Sequence, residues 1–167
     1  MRIEKYIDEI KQILAPLAQL KVEVEALAEV QGEYNRPIPN RGRVSVLFFE
    51  AKPRGDVKSA GNIVQDMDVT FHLMIQATQI SGAFGISDLH NRCRKLLIGK
   101  DITDCDDFVS GGLMFSRYLG SVWEYAMVLN TWTRVVEHYE EDPNIPTVQS
   151  VTFNEYVQNP SNPVPTS

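Results

Sequence analysis

The sequence is short of nearly everything that announces chemistry. Two cysteines, Cys93 and Cys105, and three histidines occur in 167 residues. Two thiols in a chain of this size exclude a disulfide scaffold and suit a reducing compartment. There is no GxxxxGK[ST] cradle, no GxGxxG fingerprint, no GxSxG elbow and no HExxH pair. Their absence removes the common phosphate, dinucleotide, serine-nucleophile and zinc-protease sites. No apolar run approaches the roughly 18 residues that span a bilayer, so no membrane partner is expected. The N-terminus, Met1-Arg2-Ile3-Glu4-Lys5, opens straight into a charged amphipathic pattern, and no signal peptide is expected. Positive charge is scarce as well, 16 Lys and Arg against 22 Asp and Glu, a net −6. An acidic chain is poorly suited to wrapping nucleic acid, because counterion release needs clustered cations. What remains is an ordinary globular composition, 43% hydrophobic and 23% charged, sufficient for one domain that needs no metal or disulfide staple.

The charge is unevenly spread. Residues 34–64 carry Arg36, Arg41, Arg43, Lys52, Arg54 and Lys58 against Glu50 and Asp56, a local +4 that leaves −10 elsewhere. Such a stretch is either a set of solvated basic loops or a basic surface for an acidic partner. Arg41, Arg43, Lys52, Arg54 and Lys58 are its candidate interface residues. Arg92 and Lys95, with Arg94, form a second basic spot, for which compensation of a helix dipole is the simpler account.

Candidate metal ligands are few. His90 and Cys93 form an H-x-x-C pair, which Cys105 and His138 would complete on paper. A structural zinc site usually needs a second close-spaced pair, and none exists. Cys93 also falls on the apolar stripe of a helix, where a free thiol acts as a small hydrophobe. Asp101, Asp104, Asp106 and Asp107 suggest calcium, but neither Asp101 nor Asp104 begins a loop with glycine sixth and glutamate twelfth. Asp66 and Asp68 share a wet strand face, with no low-dielectric pocket to split their pKa values. No cofactor, metal or catalytic residue is expected.

Periodicity supplies the elements. Ile3, Ile7, Ile10, Leu14 and Leu17 make one stripe and predict a helix over 2–15 that Pro16 ends. Residues 20–30 alternate, with Val22, Val24, Ala26, Ala28 and Val30 on one face, and predict an antiparallel strand. Residues 43–50, apolar on both faces near the end, predict an inner strand, and 52–62 a loop. Residues 63–78 give the clearest strand, Ile63, Met67, Val69, Phe71, Leu73, Ile75 and Ala77 sharing a face. At about 3.3 Å per residue it would run roughly 50 Å, so it is bulged or projects toward a partner. His72 alternates onto its polar face as a solvated or cross-strand residue. A helix over 84–98 buries Ile86, Leu89, Cys93, Leu96 and Leu97, with Gly99 closing it. Residues 113–136 predict a hairpin turning at Gly120-Ser121, its aromatic residues read as core. Trp132 sits on the less apolar face, as an exposed anchor or a residue covered by a helix.

The character changes after Glu140. Residues 141–167 hold five of the nine prolines, Pro143, Pro146, Pro160, Pro163 and Pro165. Such composition is extended or disordered, yet Val151, Phe153 and Tyr156 interrupt it. A short extended segment with apolar anchors can add to the edge of a neighbour's sheet. The expectation is therefore an α/β (α+β) fold. It has a mainly antiparallel sheet of about four to five strands flanked by two helices over 1–140, and an extended tail over 141–167.

Three stretches resemble the tail terminator (tail completion) proteins of tailed bacteriophages, including the Mu-like branch. They are Asp68-Val69-Thr70-Phe71-His72-Leu73-Met74-Ile75, the helix running from Leu89 to Lys95-Leu96-Leu97-Ile98-Gly99-Lys100, and Gly120-Ser121-Val122-Trp123-Glu124-Tyr125-Ala126-Met127. The likeness covers about residues 1–140, and the proline-rich tail departs from shorter members. It implies a small domain that assembles as a ring, typically a homo-hexamer, on the last ring of the tail tube. Such a ring stops tube and sheath polymerisation and joins the tail to the neck. DNA would pass through the lumen without being read. The expected place is the virion tail or neck, assembled in the cytoplasm of a bacterial host. A neck or head–tail connector subunit of the same particle is the alternative, and a small metal-binding protein or enzyme a more distant one.

Overall fold

The computed structural model describes residues 3–27, 37–55, 58–59 and 63–137. The chain opens with helix α1 (Ile3–Ile13) and the short α2 (Ala15–Gln19), followed by strands β1 (Glu23–Ala26), β2 (Arg43–Pro53), β3 (Lys58–Ser59) and β4 (Ile63–Ala77). Helix α3 (Ile86–Leu97) and the hairpin of β5 (Val109–Tyr118) and β6 (Trp123–Glu137) complete it. One mixed sheet runs β1-β2-β4-β6-β5, with β3 prolonging the line of β2 along β4. The fold is α+β, as the alternation and helical stripes indicate.

The core lies on one face of this sheet. Tyr6, Ile10, Leu14 and Leu17 from the first two helices and Ile86, Leu89, Cys93 and Leu97 from α3 meet Val44, Val46, Val69, Phe71, Leu73, Ile75, Met127 and Leu129. Phe71 sits at its centre, edge-on to Tyr6, Phe48 and Phe108 with centroids 6.5, 5.8 and 6.1 Å away. Tyr6 takes a buried place that the isoleucine spacing assigned to Ile3 and Ile7, both only partly covered.

Four expectations are corrected. The first concerns β1, which pairs with β2 in parallel, Glu23 opposite Arg43 through Ala26 opposite Val46. Alternation reports which face is wet and says nothing of direction. Residues 27–42 make a connection too long for a tight hairpin and long enough for a crossover. Pro16 does not end the helical run. α1 stops at Ile13, and Pro16 falls in the first turn of α2, where its missing N–H costs nothing. The 52–62 stretch is also not all loop. Lys52 and Pro53 continue β2, and Lys58 and Ser59 pair with Val64 and Ile63. Finally, β4 does not project. All fifteen of its residues pair with β6, from Ile63 opposite Glu137 to Ala77 opposite Trp123. Its length is absorbed within the sheet, and a bulge between Phe48 and Glu50 lets β2 follow it.

Gly42 makes the entry into β2 possible. Its φ is +85°, and a Cβ there would lie 2.7 Å from both the Gln76 carbonyl oxygen and Leu89 Cδ1. Gly42→Ala should therefore lower unfolding free energy by more than about 1 kcal/mol, measured by urea denaturation. A loss within about 0.3 kcal/mol would contradict the close approach.

Candidate interaction surface

The second face of the sheet is crossed by aligned rows of side chains. The uppermost row runs through all five principal strands: Glu23, Arg43, Gln76, Glu124 and Arg117 stand in register. Arg43 Nε donates to Glu23 Oε2 at 2.8 Å, and Arg43 Nη1 contacts Gln76 Oε1 at 3.5 Å. Gln76 Nε2 donates to Glu124 Oε2 at 2.6 Å, and Arg117 Nε donates to Glu124 Oε1 at 2.9 Å. Arg43, Gln76 and Glu124 are buried, so this is a desolvated, charge-assisted chain that fixes strand register.

The next row starts polar, with Glu25 and Ser45 on β1 and β2, and the rows turn mostly apolar across β4, β6 and β5. Met74, Ala126 and Met114 align, then Leu47, His72 and Val128. Phe49, at the β2 bulge, stacks on His72 with centroids 4.1 Å apart and remains 54% exposed. Burial lowers the His72 pKa below the ordinary imidazole value, against the opposing pull of Glu50. Charge returns at the far end. Arg134 Nε donates to Asp66 Oδ1 at 2.7 Å. The guanidinium groups of Arg54 and Arg134 lie over the Trp132 ring, 5.8 and 5.9 Å from its centre, and its indole N–H donates to Asp106. Among the described residues no helix covers this face, so a narrow, partly exposed apolar band lies between the upper polar row and the Thr70–Asn130 pair, hydrogen-bonded at 3.1 Å.

β5 forms the rim of the sheet on both faces. It is an edge strand of 10 residues of which nine are exposed, including Val109, Met114, Phe115 and Tyr118, each half exposed or more. The aromatic hairpin is thus only partly core. Trp123 and Tyr125 on β6 pack against the core, while Phe115 and Tyr118 stand beside them in the open, their rings 5.4 Å from Tyr125 and 4.5 Å from Trp123. Sequence alternation on β6 locates the strand but carries no sign that β5 beside it stays exposed.

The basic interface candidates do not form one patch. Arg43 is buried in the polar row, 2.8 Å from Glu23 and 3.4 Å from Glu25, and has no exposed guanidinium to offer a partner. Lys52 pairs with Glu50 at 2.8 Å, and Arg54 lies 3.7 Å from Asp68. Lys58 lies in β3 opposite Val64. Arg41 and Arg92 sit at the other end of the sheet, both over the Phe84 ring at 4.6 and 5.5 Å, with Arg92 also paired to Asp88 at 3.0 Å. Lys95 is exposed on α3. Val151, Phe153 and Tyr156 lie outside the described residues. What sequence reading missed are the acidic partners of Arg43 and Arg54, because Glu23, Glu25 and Asp68 are distant in the chain from the residues they meet.

Cys93 is fully buried on α3, and burial pushes its thiol up to about 12. Burial also raises Cys105. Among the described residues no group of three or more His, Cys, Asp and Glu is placed to hold a metal ion. Among them, too, no helix is long and apolar enough to cross a membrane. In the folded protein at neutral pH, Cys93 should resist alkylation and react only on unfolding, as read by mass spectrometry. Rapid native labelling at Cys93 would contradict its placement.

The family described as Gp37 protein matches residues 12–155. The match includes every strand and α3, and it continues past the 1–140 limit of the sequence likeness to take in Val151 and Phe153. No curated protein matches the chain.

Proposed function

The chain belongs to the Gp37 protein family, which is phage-associated, and from that premise we propose that this phage protein is a ring subunit capping the end of a tail tube. The ring, a homo-hexamer by the family likeness, halts tube and sheath growth and presents its opposite side to the neck. DNA passes through its lumen without sequence-specific contacts. The protein works in the virion tail, after assembly in the host cytoplasm, and has no catalytic step.

One observation carries this reading: a single small domain displays two different unsatisfied surfaces, the partly exposed apolar band and the β5 edge. A subunit that closes a ring by rotation meets each neighbour through unlike surfaces, whereas a two-fold dimer needs one self-complementary patch. Pairing of Lys52 with Glu50 and of Arg54 with Asp68 offsets the positive charge of this stretch, which suits a channel wall that does not grip DNA.

Disrupting the gene in a phage that encodes it tests the proposal. Electron microscopy should show tails longer than wild type and unjoined to heads, with complementation restoring both. Tails of normal length joined to filled heads would overturn it. Normal-length free tails would instead favour a neck subunit.

A further inference from the structure

The two edges of the sheet are protected very differently. β1 is four residues long and carries Glu23 and Glu25, a short charged edge that discourages strand addition. β5 offers ten residues, of which Arg117 is the one charged side chain and is already engaged with Glu124. Among the described residues no strand pairs with its outer side. Between its two bulges, residues 112–115 run regularly opposite β6. Such an edge is a template for another strand.

The chain itself supplies a matching segment. Prolines cannot donate to a ladder, so Pro146 and Pro160 bracket a thirteen-residue run, 147–159, that is free of them. The run reads Thr-Val-Gln-Ser-Val-Thr-Phe-Asn-Glu-Tyr-Val-Gln-Asn, rich in β-branched and aromatic residues. The family match extends over Thr147 to Glu155.

We propose that residues 147–159 dock on the β5 edge of a neighbouring copy and add a strand to its sheet. Geometry favours the neighbour over the chain's own edge. β6 ends at Glu137, while β5 begins opposite Asn130, at the other end of the hairpin from its turn. The line of β5 beyond Val109 is already occupied: Asp106 N–H donates to the Trp132 carbonyl at 2.9 Å, and Cys105 bridges to Thr133. A tail returning to its own edge would have to cross that acidic loop, within nine linker residues that span about 30 Å at most. It would then arrive parallel to β5, the less stable pairing. In a ring no such reversal is needed.

This inference rests on the ring reading for the identity of the partner as a second copy. A photoreactive phenylalanine analogue in place of Met114, on unlabelled full-length chain, is mixed with isotopically heavy wild-type chain at high concentration, and the same substitution is read in purified particles. The expected cross-link joins the Met114 position to residues 147–159 of a heavy chain. A cross-link to the same chain's 147–159, to any other surface, or none in either preparation, overturns the proposal. Deleting 145–167 should weaken self-association at least about tenfold and leave the thermal midpoint unchanged. An unchanged association, or a lost midpoint, counts against it. Tail length in the gene disruption passes or fails independently, so overlong tails without the cross-link would retain the ring and discard the tail exchange.

Discussion

Phe71→Ala should lower unfolding free energy by about 3–5 kcal/mol. Phe71 is fully buried at the middle of β4 and touches three other rings, so alanine removes both transfer energy and the lining contacts of a rigid cavity. Its neighbours come from α1, β2 and the segment after α3. Collapse around the void would therefore require several elements to move together. A domain of this size is stable by about 5–15 kcal/mol, so the variant should lose a large share of its stability. Urea denaturation measures the loss. Phe49→Ala, on the open face, should change stability by less than about 0.5 kcal/mol. If the two variants behave alike, the helix-covered face has been misassigned.

Arg43→Met should cost about 3 kcal/mol, the second largest effect expected. The methionine keeps most of the volume but leaves Glu23 and Glu25 facing each other without their shared cation. It also strips the Pro37 carbonyl of a donor 3.1 Å away. Removing one member of a charge network costs more than the network contributes where the remaining charges, here Glu23 and Glu25 at 30% and 23% exposure, stay partly desolvated. Arg54→Met, by contrast, removes an exposed guanidinium 3.7 Å from an equally exposed Asp68 and should stay within about 0.5 kcal/mol. A small loss at Arg43 with a large one at Arg54 would return Arg43 to the list of free interface bases.

The parts of the fold legible in the sequence are those fixed by local periodicity. β4 could be read almost to the residue, because Val69, Phe71, Leu73 and Ile75 alternate against a helix-covered core. α3 was legible for the same reason, through Leu89, Cys93 and Leu97. What periodicity cannot carry is the partner. The alternation of β1 does not say that β2 lies parallel to it. The length of β4 looked excessive until β6 matched it residue for residue. Arg43, at the start of the predicted strand 43–50, reads as an interface base because Glu23, Gln76 and Glu124 meet it only through strand pairing. Phe115 and Tyr118 read as core because aromatic composition does not reveal that β5 stays exposed. The interaction surface was thus visible as elements and hidden as an assembly of faces. Val151 and Phe153, which interrupt the proline-rich composition, fall within the span of the family match.

The ring reading joins these surfaces to one task, fitting against copies of the same chain at the end of a tube. The most direct measurement is a reconstruction of the whole phage particle at side-chain resolution. The account predicts density for this chain as a closed ring on the last ring of the tail tube, beneath the neck, with β5 at the contact between neighbours. Density against the portal, or a particle that lacks the chain, would contradict it.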